Sequence, residues 1–340
     1  PGNPGQVQLS PTVQATRSNY MATHRGSAVP YLDHFHPMPR GRALVDSLQG
    51  EHGGVFYRKH NRNMVVEVSP DLPVLPGFRW SRIDEIAALL QLDDVVNMDS
   101  RSVLSLLPPV ADEGPALHDD TEVHSWLTRQ RAGDLYVSDL VDLDAVGDAD
   151  QLGAPGRTPV RDGVLAWDGA PFRVLGVEVS GGGREVPSWH QPMVELRGER
   201  SETLLAATFR GQPHLLVRAV RHHGTAHGVD LHPTTSLVDG RPDPSTLALP
   251  GATEQPLPLR TDGADDVRYD ARLSEEGGRF HQASSTYRLV HSSSAAPREP
   301  GPDHRWVTPR QLRDLAEHGA CVSVQARSLL ACVTTGAAHL

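Results

Sequence analysis

The strongest constraint on this chain is that it repeats itself over long distances. "FRWSRIDEIAALL", from Phe78, aligns with "HRWVTPRQLRDLA", from His304, placing Trp80 on Trp306 and Leu89 on Leu315. "VNMDSRSVLSLL", from Val96, aligns with "VSVQARSLLACV", from Val322, placing Arg101 on Arg327 and Ser102 on Ser328. Both alignments keep a separation of 226 positions, while "QGEHGGVF" from Gln49 meets "LSEEGGRF" from Leu273 at 224 and "VQLSPT" from Val7 meets "VDLHPT" from Val229 at 222. Four collinear matches with so little drift read as two copies of one domain, because the period is far too long for a solenoid. Residues 1–112 are then the C-terminal part of the first copy, 113–120 a linker within "LPPVADEGPALHDD", and 121–340 the second copy. In that register the first copy is expected to lack about its first hundred residues, an N-terminal truncation.

The second copy is the clearer guide to secondary structure. "PFRVLGVEV" alternates as a strand and "GGG" turns it into "REVPSWHQP". "TLLAATFRGQPHLLVRAV" reads as two strands joined by a turn at Gly211. "TPRQLRDLAEHG" predicts a helix that Thr308 caps, Pro309 opens, Gln311 boxes and Gly319 ends, with Leu312, Leu315 and Ala316 on its core face. Near the start, Val7, Leu9 and Val13 alternate with polar residues as a short strand that Pro11 interrupts. Strands followed by helices in each copy make the fold class α+β.

Length and composition bound the function. At 340 residues the chain fits about two domains, with 38% hydrophobic residues. No apolar run approaches the roughly 18 residues of a membrane helix, so no membrane is expected as a partner. The formal charge is −10 and no block of Lys or Arg stands out, so no nucleic acid is expected either. Cys321 and Cys332 form neither a disulfide framework nor a zinc box, which suits two reduced, buried thiols. Without a signal peptide, the expected location is cytoplasmic. Lys59 is the one lysine, a bias typical of GC-rich coding, and it leaves amine chemistry a single address.

Two polar segments stand out. The first runs through Thr12, Gln14, Thr16, Arg17, Ser18, Asn19 and Tyr20; the second, "FYRKHNRNMVVE", holds Arg58, Lys59, His60, Asn61, Arg62 and Asn63. Arginines of this kind can grip a phosphate through forked hydrogen bonds, Gln and Asn can read a base or sugar hydroxyl, and Tyr20 can stack or donate a proton. A solvated loop would have the same composition. The second copy has "HPTTSLVDGRP" and "HQASSTYRLV" at these places and has lost most of this decoration, which favours one working site and one degenerate site. In the second copy Trp189 and Gln191 can support a nucleotide base, or Trp189 can be a core residue with a satisfied polar neighbour. His222, His223 and His227 in "RHHGTAH" have a spacing that would capture a metal during purification, without the partners of a dedicated site, so no metal is expected.

Together "PGNPGQVQLSPTVQATRSNY", "QGEHGGVFYRKHNRNMVVE", "REVPSWHQP", "SEEGGRF" and "QARSLLAC" closely resemble the NDP-hexose 2,3-dehydratases of deoxysugar and antibiotic biosynthesis, over nearly the whole chain. The resemblance implies tandem duplicated Nudix-like domains with mixed sheets flanked by helices, in a homodimer, and the expected N-terminal truncation of the first copy is a departure from it. The resemblance also implies a substrate, dTDP-4-keto-6-deoxyglucose, and loss of its C2 hydroxyl to give a 3,4-diketo-2,6-dideoxy sugar nucleotide. A separate NADPH-dependent ketoreductase would take that product. The sequence departs from the family where "QGEHGG" replaces "QSEQGS" and where the second copy has "PTTS" for a PTVQ-like motif.

That chemistry needs a base for the C3 proton, which the C4 ketone acidifies, and an acid for the departing hydroxyl. No hydride moves, so no redox cofactor is expected, and the chain carries no GxGxxG fingerprint. Glu51, Tyr20 and His60 are the catalytic candidates, with His52 also available as a base. Thr12, Gln14, Arg17, Asn19, Arg58, Asn61, Arg62, Asn63, Trp189 and Gln191 are the candidate substrate contacts. Glu51 sits in a glycine-rich turn and can equally hold that turn by hydrogen bonds. Two other functions compete. A metal-dependent nucleotide-sugar hydrolase needs a helix of spaced glutamates, whereas "ARLSEEGG" puts Arg272 only three residues before Glu275 and breaks at Gly277 and Gly278. A degenerate, non-catalytic nucleotide-sugar-binding protein would bind without eliminating water.

Overall fold

The structure, a computed structural model, describes residues 8–14, 29–36, 39–109, 114–133, 140, 160–161, 164–165, 171–180, 188–246, 249, 265–292 and 300–340. Strands β1 (Arg42–Gly50) and β2 (His60–Glu67) form an antiparallel pair. Helices α1 (Ile83–Leu90), α2 (Met98–Leu104) and α3 (Asp120–Ala132) follow. A four-stranded antiparallel sheet comes next, in the order β3 (Val160–Arg161), β4 (Val164–Leu165), β5 (Phe172–Ser180) and β6 (Ser188–Leu196).

The main sheet has eight strands. Its centre is β7 (Arg200–Phe209) hydrogen-bonded to β8 (Gln212–Arg221). Arg210 and Gly211 join them with φ of 54° and 80°, and two left-handed residues in succession are what a tight hairpin between twisted strands requires. Around this pair lie β9 (Val229–His232), β10 (Thr235–Val238), β11 (Arg241–Pro242), β12 (Asp265–Ser274), β13 (Ser284–Ser292) and β14 (His304–Val307). β13 runs parallel to β7, so the sheet is mixed. α4 (Pro309–Glu317) and α5 (Val324–Thr334) close the chain. α4 follows its sequence signals: Thr308 Oγ1 accepts from Gln311 N, Gln311 Oε1 accepts from Thr308 N, and Gly319 follows the helix at φ 72°.

The core forms where α5 lies under the main sheet. Leu204, Leu215, Leu231, Leu273 and Leu289 from the strands meet Leu312, Leu329 and Leu330 from the helices, all fully buried. α5 is buried nearly all round, leaving no face to water, with its polar Arg327, Ser328 and Thr334 buried as well. Cys321 and Cys332 are free and buried there. No described helix is long and apolar enough to cross a membrane.

One set of elements recurs along the chain: β1–β2, α1 and α2 have the order and spacing of β12–β13, α4 and α5. Leu9 makes an isolated parallel bridge with Val96, and Leu231 makes one with Val322. The bonds correspond in detail: Leu9 N–H to Val95 O and Asn97 N–H to Leu9 O, against Leu231 N–H to Cys321 O and Ser323 N–H to Leu231 O. Thus the strand expected around Leu9 is reduced to that bridge. Burial differs between the aligned residues, for Trp80 is 63% exposed while Trp306 is fully buried. The segment expected as a linker is tied to the main sheet, since Gly114 N–H bonds Gln212 Oε1 and Leu117 N–H bonds His214 Nε2. "ARLS" belongs to strand β12, so the helix a hydrolase would need is not formed there.

Candidate active site

On β1 the inward positions are Val45, Ser47 and Gln49, as period-two alternation demands. Ser47 Oγ donates to Glu317 O at 2.7 Å and Gln49 Nε2 to Ala316 O at 3.1 Å, satisfying carbonyls that the end of α4 leaves unpaired. This docking sets the direction in which the chain leaves β1. The loop Glu51–Lys59 then folds onto the turn after β8, where Gly224 N–H bonds Gly53 O and Arg58 N–H bonds Gly224 O. The approach is so close that a Cβ on Gly224 would lie 2.0 Å from Phe56 O.

Beneath this loop is a cavity of about 50 Å³ whose walls come from the loop, the main sheet and the start of α5. Its polar lining includes Glu51, His52, Glu202, Asp230, His232 and Glu275, each under 10% exposed. Burial drives their protonation. It pushes Glu51 up to about 7 against the opposing pull of Arg327 and Lys59, and Glu202 up to about 8 although Ser236 Oγ donates to it at 2.5 Å. Asp230 is raised to about 7, and Glu275 is raised as well. The imidazoles go the other way: His222 falls to about 4, and His52 and His232 lie well below their usual value. His52 Nε2 is 3.8 Å from Glu275 Oε2, but burial and the cations Lys59 and Arg327 keep the ring neutral, so this contact is not an ion pair near neutral pH.

Glu51 is the best placed of these groups. It is 2% exposed, its Oε1 accepts from Arg327 Nη2 at 2.9 Å, and its Oε2 has no hydrogen-bond partner among the described residues. The same is true of His52 Nε2, Asp230 Oδ1, His222 Nε2, His232 Nε2 and Glu275 Oε2. Buried polar atoms without partners are scarce in folded proteins, and their gathering around one cavity with carboxyls poised near neutrality marks a functional site.

Of the residues expected from the sequence, Glu51, His52 and His60 line this cavity, with His60 Nδ1 facing Arg58 O at 2.8 Å. Several others lie elsewhere. Arg62 is on the outer face of β2, forked onto Asp46 at 2.7 and 2.6 Å, because alternation turns it away from Asn61 and Asn63. Asn63 is buried and donates to Gln49 Oε1 at 2.6 Å, which makes it a strut of the hairpin, and Asn61 is half-buried beside it without lining the cavity. Arg58 adopts φ 50° and lays its guanidinium over the Tyr57 ring, 5.0 Å from its centroid. Thr12 is exposed, and Gln14 donates to Asp99 at the start of α2. Trp189 and Gln191 bond each other on β6, and Gln191 also holds Gly278 O, so neither faces the cavity. Tyr20, Arg17 and Asn19 lie outside the described residues.

Sequence reasoning missed Glu202, Asp230, His232 and Arg327. The two acids and the imidazole sit within strands, with no local pattern to single them out, and only His222 carried a signal, as part of "RHHGTAH". His222 is buried against His232, with ring centroids 4.5 Å apart, while no cluster of three His, Cys, Asp or Glu able to hold a metal occurs among the described residues.

Carboxyls that burial raises toward neutrality, beside imidazoles that burial keeps neutral, are groups suited to acid–base chemistry. The NDP-hexose 2,3-dehydratase family description matches residues 1–107 and 120–333. A curated relative from Amycolatopsis orientalis, a dTDP-4-dehydro-6-deoxy-alpha-D-glucopyranose 2,3-dehydratase, is 40% identical over 100% of this chain and 69% of its own length. Relatives of the same name from Saccharopolyspora spinosa and Streptomyces violaceoruber are 41% and 38% identical, over 97% and 98% of this chain and 71% and 75% of theirs. The chain belongs to the NDP-hexose 2,3-dehydratase family.

Proposed function

We propose that this chain removes water across C2 and C3 of dTDP-4-keto-6-deoxyglucose. The observation that carries this reading is the match of nearly the whole chain to three relatives bearing one activity. The cavity adds a chemical rationale. The ketone at C4 acidifies the C3 hydrogen, and Glu51 Oε2 takes that proton while the electron pair moves onto the C4 oxygen. The resulting enolate expels the C2 hydroxyl, which leaves as water with a proton from an acid. Glu202, held protonated at neutral pH, is the donor we assign. The enol between C2 and C3 then tautomerises to the 3,4-diketo-2,6-dideoxy sugar. Lys59 lines the cavity but is ion-paired with Glu276 at 2.5 Å, so its charge is shared with that carboxylate as well as offered to the enolate. A cavity of about 50 Å³ is too small for a whole nucleotide sugar, so on this reading the nucleotide lies outside it.

The recurrence of elements and paired bridges supports a duplicated unit, with the Nudix-like character of that unit resting on the family resemblance. A homodimer and a downstream NADPH-dependent ketoreductase belong to the same reading. The test is incubation with dTDP-4-keto-6-deoxyglucose, with the labile diketone trapped by a ketoreductase and NADPH. A 2-deoxy product supports the proposal. Nucleotide-sugar binding with the C2 hydroxyl retained refutes it in favour of a non-catalytic binder.

A further inference from the structure

Two buried arginines occupy matching places in the recurring elements and do different things. Arg101 on α2 donates to Val96 O at 2.6 Å, Ser274 O at 2.7 Å and Ser328 Oγ at 3.0 Å. Arg327 on α5 donates to Val322 O at 2.6 Å, Gly50 O at 3.0 Å and Ser102 Oγ at 3.4 Å. Each therefore crosses to the opposite helix's serine and clamps the end of the opposite hairpin. Arg327 alone carries the pattern further, to the Glu51 carboxylate.

The two glutamates at those hairpin ends differ accordingly. Glu275 Oε1 accepts from Ser285 Oγ at 3.0 Å and Tyr287 OH at 3.3 Å, a neutral hydroxyl environment. At the positions matching Ser285 and Tyr287 the first set has Asn61 and Asn63, and Asn63 is turned to Gln49. Glu51 thus receives its described hydrogen bond from a cation 1% exposed, while its second oxygen is buried without a hydrogen-bond partner among the described residues.

We propose that Arg327 is the positioning residue of the reaction: by gripping Glu51 Oε1 and the carbonyl before it, Gly50 O, it fixes Oε2 as the proton-accepting atom. The inference rests on Glu51 being the base. A guanidinium fork suits the task because its donors are rigid and it stays charged when buried. The other charged groups acting on Glu51 are Lys59 from the covering loop, Asp99 from α2 and Glu276 from the turn after β12, of which only Lys59 also favours the ionised form.

The test compares pH profiles of kcat/KM for Arg327→Lys, Arg327→Gln, Arg101→Lys and Glu51→Gln. Both Arg327 variants are expected to move the acid limb upward by about one pH unit and to lower kcat by about tenfold or more, because the charge partner within hydrogen-bond reach is lost or misaligned. Arg101→Lys, which disturbs a comparable set of bonds but touches no carboxylate, is expected to leave the limb in place. If Arg327→Gln does not fold, the two lysine variants decide. An unmoved limb and unchanged kcat in Arg327→Lys, with Glu51→Gln inactive, overturns the inference alone. An active Glu51→Gln instead removes the reading it rests on.

Discussion

Replacing Glu202 by Gln tests whether the cavity wall holds carboxyls protonated by desolvation. Glu202 is raised from an ordinary 4.5 to about 8, chiefly by burial, with Ser236 donating to it and Asp243 and Glu275 adding negative charge nearby. A group that binds its proton more tightly when folded stabilises the fold most at low pH and loses that contribution as pH rises from its unfolded to its folded value. At about 1.36 kcal/mol per unit, a span of roughly 3.5 units amounts to ~5 kcal/mol, most of it already lost by pH 7. Entry of water around the ionised carboxylate makes that figure a ceiling. Glutamine keeps an acceptor for Ser236 and cannot ionise. In urea unfolding at pH 5 and pH 9, the wild type is therefore expected to lose several kcal/mol relative to Glu202→Gln, on the order of the ceiling given by the pKa span. Parallel pH dependences for the two proteins would refute the claim that this carboxyl is buried and neutral.

Gly224→Ala places a methyl 2.0 Å from Phe56 O, where the contact is backbone and cannot swing aside, so a loss of about 2 kcal/mol or more is expected in thermal or urea unfolding, together with loosened cover over the cavity. Arg62→Ala breaks an exposed pair with Asp46 and is expected to cost ~1 kcal/mol or less, with turnover unchanged in a steady-state assay; a large loss of activity would put Arg62 back among the substrate contacts.

How much of this was legible follows the range of the interactions involved. α4 was readable to the residue because Thr308, Pro309, Gln311 and Gly319 act within a turn or so of one another. The β7–β8 hairpin was equally local, with Gly211 at its bend. Glu51 stood out as a carboxylate in a glycine-rich turn; it takes part in holding the structure, through Arg327 rather than through its own turn. That partner lies 276 positions away, and no short-range pattern reaches so far.

Arg62 misled because composition does not say which face of a strand a residue occupies. The hairpin register places Arg62 opposite Leu48 on the outer face and Asn63 opposite Ser47 on the inner one. The aligned tryptophans, Trp80 exposed and Trp306 buried, likewise show that a sequence match need not carry the packing with it. Glu202 and His232 were hidden for another reason. Each lies in a strand that reads as sheet core, and only the fold brings them to one cavity with Glu51.

The most direct measurement follows the C3 hydrogen itself. Wild-type chain and Glu51→Gln are incubated with dTDP-4-keto-6-deoxyglucose in deuterated water, and NMR records both exchange at C3 and loss of the C2 hydroxyl. The wild type is expected to eliminate water, and the variant neither to eliminate nor to exchange. Exchange and elimination at wild-type rates in Glu51→Gln would contradict the assignment of this cavity's carboxylate as the group that begins the reaction.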